Sequence, residues 1–439
     1  MEGISGYEES RAAGRVRRRR SIALALLVIT GVINYVDRST LSIAEQPISE
    51  ELGLSKGEMG ILLSAFSWSY AFAQLPTGAL VDKVGPRILL AVGLALWSVA
   101  QACGGLVTSM RQFVATRIVL GIGEAPQFPT GARVVSNWYH VRERGLPTGI
   151  FNSSSSLGPA LAPPILTALM AAFGWRRMFF VMGAAGIVAA VAWYIFYRDP
   201  QRAGLSEADL RSLRADEPAS SGDVSVAHWL RLFRHQTTWG MVLGFAGALY
   251  LIWLYLTWLP GYLRIQHHMT TLQVGFAASV PFIFGFLGSL IGGAFSDRLA
   301  AWGISPINSR KLPIAAGLIG MAMFTVPAAL TANGNVAVGC IALAIFCGTC
   351  ATTNAWALVT ATAPSSYVAS LGSIQNFGGY FGGSFAPVIT GFVVDKTGSF
   401  TLPLLIGAAI AVASALVYLF VVREPISAAF LDGQNAASG

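Results

Sequence analysis

Residues 32–40 read VINYVDRST and place Asp37 and Arg38 side by side inside an apolar run that begins at Ser21. At about 1.5 Å per helical residue, Asp37 lies roughly 24 Å along that run. A charge at the centre of a bilayer costs on the order of 2.5–3.5 kcal/mol. Ionisable residues at such positions are typical of sites that bind a charged ligand or carry a proton.

A second pair of opposite charges, Arg117 and Glu124, lies in a later apolar run. Their spacing of about two helical turns places both on one helix face. Of the 21 acidic residues, only Asp37 and Glu124 lie deep in apolar runs, and all five histidines lie in loops or at their edges. A proton that crosses a membrane through this chain therefore has two carboxylates available and no histidine.

The same four charges could instead form two buried ion pairs that only hold helices together. The pairs would be Asp37 with Arg117 and Arg38 with Glu124. Close packing of glycine and alanine could join helices without the cost of burying charges. We therefore favour a functional site over a purely structural one.

The composition indicates a polytopic membrane protein. The chain has 439 residues, of which 54% are hydrophobic and 11% charged, and its mean hydropathy is +0.60. A soluble protein has about 25% charged residues. The net charge of +8 arises in loops, and no patch of aromatic and basic residues favours nucleic acid as a partner.

Enzymatic chemistry is not indicated. The sequence shows no nucleophile with a base, no metal-ligand cluster and no phosphate-binding loop. Cys347-Gly-Thr-Cys350 matches a CxxC spacing, but it lies inside an apolar run, where small packing residues are the better interpretation. We expect no cofactor, with the proton as the coupling ion.

Twelve stretches are long and apolar enough to span a bilayer. They are residues 21–44, 58–81, 88–108, 111–132, 145–171, 176–197, 237–262, 272–296, 312–332, 335–360, 367–393 and 400–422. The polar break at 198–236 divides them into six and six. We therefore predict a basic tail (1–20), a first six-helix bundle (21–197), a linker (198–236), a second bundle (237–422) and a C-terminal tail (423–439).

The positions of Lys and Arg predict the orientation. With the N-terminus inside the cell, inner segments hold 21 of the 29 basic residues and outer loops hold six. This bias predicts that both termini are cytoplasmic. The basic segment 14–20 precedes an apolar run that lacks a cleavage site, so we expect it to anchor the first span rather than to belong to a signal peptide.

The two halves also repeat a motif. Residues 78–87 read GALVDKVGPR after the second span, and residues 293–298 read GAFSDR after the eighth. Parallel repeats of six spans are typical of secondary transporters, whose sites lie at the midplane between the halves.

Several motifs resemble one branch of a known family. The two repeated loops are similar to the loop signature of the major facilitator superfamily, and NYVDR resembles its anion:cation symporter branch. The other motifs that carry the resemblance are SWSYAFAQLPTG (67–78), TRIVLGIGEAPQFP (116–129), NWYHVRERG (137–145) and WLPGYL (258–263). The resemblance extends from about residue 25 to 425.

The resemblance implies an all-α membrane protein with twelve transmembrane helices in two pseudo-symmetric six-helix bundles. It implies proton-coupled import of a small organic anion by alternating access. The expected substrate is a sugar acid, that is, a hexonate such as galactonate, a hexarate such as glucarate, or a hexuronate. The expected location is the bacterial inner membrane, and we expect a monomer.

The resemblance also assigns roles to residues. It implies that Arg38 holds the substrate carboxylate, that Asp37 and Glu124 take protons, and that Arg117 partners the acid. Together with the deep polar residues of the second half, the predicted substrate contacts are Arg38, Tyr35, Tyr70, Gln74, Ser155, Thr353, Asn354 and Asn376. The predicted gating residues are Asp82, Arg87, Asp297 and Arg298.

One departure leaves the substrate open. Galactonate- and glucarate-type carriers have Asn-Ser-Ala-Gln in the fifth span, where this chain has Asn-Ser-Ser-Ser at 152–155. Ser155 thus replaces a glutamine, and LGPALAPP (157–164) is more similar to the hexuronate type. An aromatic carboxylate or a dicarboxylate is the alternative substrate. Two buried arginines disfavour a proton-antiporting exporter of organic cations, and the 198–236 loop is too short for the output domain of a membrane sensor.

Overall fold

The computed structural model describes residues 2–139, 145–205, 207, 230–363, 367–427 and 430, and the regular elements among them are helical. The first half contains α1 (Glu2–Ile43), α2 (Glu45–Leu52), α3 (Lys56–Val84), α4 (Pro86–Cys103), α5 (Met110–Glu124), α6 (Gln127–Trp138), α7 (Gly145–Asn152) and α8 (Ser154–Phe196). The second half contains α9 (Gln236–Ile265), α10 (Thr271–Ala277), α11 (Val280–Ala301), α12 (Asn308–Leu330), α13 (Gly334–Thr362), α14 (Val368–Gly383), α15 (Phe385–Thr397) and α16 (Thr401–Phe420).

The described helices supply the twelve predicted spans. Nine stretches among the described residues are long and apolar enough to cross a membrane. One of them, 147–196, holds two spans, because Gly174 leaves the helical conformation with φ +78° and reverses the chain direction inside α8. Helix α3 and the α5–α6 pair provide the remaining two. The all-helical fold predicted from the sequence is confirmed.

Several spans are bent rather than continuous, which the sequence did not predict. The fourth span breaks between α5 and α6 at Ala125 and Pro126. Proline has no N–H to donate to the preceding turn, so a helix tends to end there. The fifth, eighth and eleventh spans also break, at Ser153, around Ser279 and at Ser384.

The predicted tails and linker are only partly described. Helix α1 begins at Glu2, so the basic segment before residue 21 continues the first span as helix. Of the 198–236 linker, residues 206 and 208–229 lie outside the described residues. The same holds for residues 428–429 and 431–439 of the C-terminal tail.

Helix α3 lies at the junction of the two halves. In the first half α1 and α4 pack against α8, and α3 packs against α5. In the second half α13 packs against α11 and α12, and α9 packs against α14. The halves meet where α3 contacts α14 and α15, where α1 contacts α9, and where α8 contacts α10 and α11.

The short helix α2 is anchored to α8 by hydrogen bonds at one end of the bundle. The indole of Trp175 donates to Glu51 at 2.7 Å, and Arg176 Nη2 donates to the same carboxylate at 2.8 Å. The bonds from Arg176 and Trp175 lower the pKa of Glu51, because they stabilise its ionised form. This contact fixes the chain that leaves the first span.

Two glycines allow α5 to lie directly against its neighbours. A Cβ atom at Gly121 would lie 2.6 Å from the carbonyl oxygen of Phe66 in α3. A Cβ atom at Gly123 would lie 2.8 Å from the backbone nitrogen of Trp97 in α4. Glu124 follows at once, so its position depends on this backbone-to-backbone contact.

We expect Gly121→Ala to destabilise the protein, because the added methyl group must push α5 away from α3. Overpacking of this kind costs about 1–3 kcal/mol. Thermal unfolding of the purified protein measures the effect as a lower melting temperature. Gly149→Ala is the matched control, since a Cβ atom there meets nothing within 4 Å. Equal melting temperatures for the two variants would contradict this interpretation of the contact.

Candidate functional site

Arg38 is buried at the junction of the halves and surrounded by aromatic rings. Its side chain is 1% exposed. The guanidinium carbon lies 4.7 Å from the ring centroids of Tyr35 and Tyr70 and 4.9 Å from that of Phe66. A desolvated cation over aromatic faces gains about 2 kcal/mol. This environment holds the guanidinium in place without neutralising it.

The guanidinium has one strong partner and one unused edge. Nε donates to Glu124 Oε2 at 2.8 Å, in an ion pair whose two side chains are almost fully buried. Nη1 donates to the hydroxyl of Tyr380 over a longer distance, 3.4 Å. Nη2 is buried and has no hydrogen-bond partner among the described residues. The edge formed by Nη1 and Nη2 can therefore bind a further acceptor.

Asp37 is adjacent to Arg38 in α1, and its side chain has no hydrogen bond to any other described residue. Its side chain is fully buried, and neither carboxylate oxygen has a partner. The charged groups that act on it are Glu124 and Arg117. An isolated ionised carboxylate in such a place is very costly, so a group like this one neutralises or finds a counter-charge.

Arg117 is held by amide and hydroxyl groups of neighbouring helices. Its Nη2 donates to Gln101 Oε1 at 2.9 Å, and the amide of Gln101 donates to Thr40 Oγ1 at 2.9 Å. The guanidinium also lies 5.5 Å from the ring of Phe113. The arrangement joins α5 to α4 and α1. The ion pair of Asp37 with Arg117 considered above is not formed, whereas that of Arg38 with Glu124 is.

A chain of polar groups continues from Tyr70 into the second half. The amide of Gln74 donates to the hydroxyl of Tyr70 at 2.9 Å, and the amide of Asn376 donates to Gln74 Oε1 at 2.7 Å. The ring of Tyr380 lies 4.8 Å from that of Tyr70. Since Gln74 belongs to α3 and Asn376 to α14, these groups face each other across the junction.

A small cavity lies beside this cluster, between α1, α3 and α9. Its lining includes Arg38, Phe66, Trp253 and Thr257. The charged and aromatic groups named above therefore lie next to a void that adjoins Arg38. The arrangement can bind an anion at the guanidinium and hydroxyl groups along the row of amides.

Two of the other predicted substrate contacts form hydrogen bonds within their own halves. Ser155 donates to the carbonyl oxygen of Asn152 in its own segment, at 2.7 Å. Asn354 donates to the carbonyl oxygens of Gly292 and Cys350, at 3.0 and 2.9 Å, and so joins α13 to α11. Thr353 is half-buried on the same helix. Their roles toward a substrate stay predictions.

The predicted gating residues make contacts within their own halves. Arg87 donates from Nε and Nη2 to the carbonyl oxygen of Tyr194. Asp297 accepts from Arg310 Nη1 at 2.8 Å, and Arg298 lies over the ring of Trp302 at 5.9 Å. The side chain of Asp82 lies outside the described residues.

Sequence reasoning missed two members of the cluster. Tyr380 lies one helical turn after Asn376 and hence on the same face, a spacing that could have identified it. Gln101 is a lone amide in the apolar third span and is fully buried. Buried polar side chains need partners, so this amide was also a usable signal. Among the described residues, no group of three or more His, Cys, Asp or Glu side chains could hold a metal.

Comparison with known proteins places this chain in a family. Residues 27–387 match the sequence profile of the Major Facilitator Superfamily. A protein of Escherichia coli named a probable L-galactonate transporter is 45% identical over 414 residues, which cover 94% of this chain and 91% of that protein. Another Escherichia coli protein, named a D-galactonate transporter, is 33% identical over 423 residues, covering 94% of this chain and 97% of that one.

A solved structure supports the fold. A bacterial homologue of the human lysosomal transporter Spinster, crystallised in an inward-facing, unoccupied conformation, aligns with a TM-score of 0.73 at 18% sequence identity. The alignment covers 94% of this chain and 96% of that one. The resemblance found in the motifs is thereby confirmed, and the chain belongs to the Major Facilitator Superfamily, a family of multi-pass membrane transporters and not of enzymes.

Proposed function

We propose that the chain imports a sugar acid together with protons, by alternating access through a site centred on Arg38. The observation that carries the proposal is the buried guanidinium between the halves, paired with Glu124 and unpaired at Nη2. Two buried arginines also disfavour a cationic substrate.

The free edge of Arg38 fits a carboxylate. Glu124 already takes Nε, so an incoming carboxylate meets Nη1 and Nη2, which can donate two parallel hydrogen bonds. Tyr380 lies at Nη1 and can donate its hydroxyl to the same carboxylate. An anion bound in this way touches α1 of the first half and α14 of the second.

Sugar hydroxyls fit the row of amides beside it. Tyr70, Gln74 and Asn376 present hydroxyl and amide groups that can both donate and accept hydrogen bonds. The names of the two Escherichia coli relatives, a probable L-galactonate transporter and a D-galactonate transporter, support an acid with several hydroxyls. We propose a hexonate of the galactonate type as the first substrate to test.

Glu124 couples the proton to the substrate. Its carboxylate and the substrate carboxylate would share one guanidinium, and two negative charges at such short distance repel each other. A proton on Glu124 removes that repulsion and releases Arg38 for the substrate. Asp37 adds a second proton site, because its unpartnered carboxylate is most easily buried in neutral form.

We expect galactonate to stabilise the folded protein through Arg38. A ligand at 100 times its dissociation constant contributes about 2.7 kcal/mol, which raises the melting temperature by about 3 °C or more. The measurement is a thermal-shift screen of L- and D-galactonate, glucarate, a hexuronate, an aromatic acid, a dicarboxylate, galactitol and an organic cation. Arg38→Ala should abolish the shift, and Arg38→Lys should weaken it, because lysine lacks the planar fork.

The control for that screen is Arg176→Ala, which removes an arginine whose bonds to Glu51, Gly105 and Val107 lie far from the cluster. It should keep the shift. A panel in which only neutral compounds or cations stabilise the protein would exclude the anion site.

We expect Asp37→Asn to weaken the response of transport to the proton gradient. For one proton per substrate, a gradient of one pH unit is worth about 1.4 kcal/mol and about tenfold accumulation. In proteoliposomes the parent chain should accumulate galactonate when the outside is more acidic. Asp37→Asn should still exchange internal for external galactonate, but it should accumulate less than the parent chain, because only the proposed proton site at Glu124 remains.

Asp199→Asn is the matched control. Asp199 lies outside the predicted spans and accepts a hydrogen bond from Tyr197. It should respond to the gradient as the parent does. Gradient-driven accumulation by Asp37→Asn at the parent level would contradict the proton role of this residue.

A further inference from the structure

The two halves are joined at one end of the bundle by charged side chains. These residues are Glu45, Lys56, Arg264 and Asp395, and we call them the outer gate. By the predicted orientation they lie on the outer side of the membrane. The predicted gating residues Arg87 and Asp297 belong to the opposite side, and their bonds stay within one half.

Asp395 caps a helix of the other half. Its two carboxylate oxygens accept from the backbone N–H groups of Lys56 and Gly57, each at 2.6 Å. The first N–H groups of a helix lack partners within the helix and carry partial positive charge. Ser55 and Glu58 form a capping box that satisfies other N–H groups of this helix start. The two that remain are satisfied by Asp395 of α15.

A second polar contact crosses the junction next to the first. Glu45 is 1% exposed and lies between Lys56 Nζ of its own half and Arg264 Nη2 of α9, the latter at 3.4 Å. Arg264 Nη1 also donates to Gln46 Oε1 at 3.4 Å. A carboxylate this deeply buried keeps its charge at low cost only while both cations stay near it.

Glycines bring the two backbones together beneath these charges. A Cβ atom at Gly60 would lie 2.4 Å from the carbonyl oxygen of Pro387, and one at Gly391 would lie 2.2 Å from that of Lys56. Both close approaches join α3 to α15, so they come from opposite halves. At both glycines, the atoms nearest to an added Cβ belong to the opposite half.

We propose that Asp395, with Glu45 and its two cations, holds the outer side closed and is released when that side opens. The proposal rests on the alternating access proposed above. The attraction between Asp395 and the start of α3 is lost within about one helical turn of separation. The glycine contacts form only when α3 and α15 lie against each other, as they do in the closed state. Such an arrangement behaves as a two-state element, which a gate requires.

The test measures how often the outer side opens. The reporter is Ser42→Cys, placed where α1 meets α9, in a chain whose four cysteines are replaced by alanine. Ser42 is 1% exposed and donates to the carbonyl oxygen of Thr257. A membrane-impermeant maleimide applied to right-side-out vesicles labels this position only when the halves part. We expect Asp395→Asn to raise the labelling rate by about fivefold, the effect of losing one charged helix cap.

Glu58→Gln is the matched control, because it changes an acid at the same helix start that bonds only within its own half. It should label at the parent rate. Parent-rate labelling of Asp395→Asn, or an equal increase in Glu58→Gln, would overturn the proposal.

A steric pair gives an independent arm if Asp395→Asn folds poorly. Gly391→Ala should raise the labelling rate, whereas Gly339→Ala, where a Cβ atom meets nothing within 4 Å, should not. Equal rates in these two variants would also overturn the proposal. Labelling needs neither substrate nor gradient, so a failed transport assay and a failed gate are told apart.

Discussion

The buried pair of Arg38 and Glu124 is the interaction on which the rest of the structure depends. Two charges taken out of water must compensate each other, and removing one partner of such a pair costs about 3–5 kcal/mol. The aromatic rings around Arg38, the unpartnered Nη2 and the cavity beside it are consistent with the second anion that we propose at this guanidinium. In that proposal the pair exchanges an internal counter-ion for an external one.

The position of that pair ties chemistry to movement. Arg38 and Glu124 belong to the first half, whereas Tyr380 of α14 in the second half contacts Arg38, and Asn376 of the same helix contacts Gln74. An anion at Arg38 therefore changes the contacts between halves as well as the charge of the site. The outer gate lies at one end of the same junction. It includes Lys56 of α3, the helix that also carries Tyr70 and Gln74.

Much of the fold and part of the site could be predicted from the sequence. Twelve apolar runs, the basic bias of the loops and the repeated loop motif follow from how a bilayer treats charge and backbone. Asp37, Arg38, Arg117 and Glu124 could be recognised because they are charged residues deep in apolar runs, where chance placement is costly.

The remaining features depend on partners distant in the chain. In the sequence, Glu45 is a residue just beyond the end of a predicted span. Its burial and its contact with Arg264 are visible only in the folded chain. Asp395 reads as a loop acid, and its role as a cap depends on the close approach of α15 to α3. The breaks at Ser153 and Ser384 fall inside stretches that are long enough to span a bilayer, so a criterion of length and mean hydropathy counts each stretch as one continuous helix.

The most direct test of the central claim is to count the protons taken up when the anion binds. Calorimetric titration of the purified protein with L-galactonate, in buffers of different ionisation enthalpy near neutral pH, gives that number. If the substrate replaces Glu124 at Arg38, binding should take up about one proton per anion, by linkage between the two equilibria. Glu124→Gln should bind the anion with little or no proton uptake. Tight binding by the parent chain with no proton uptake would contradict the exchange at Arg38.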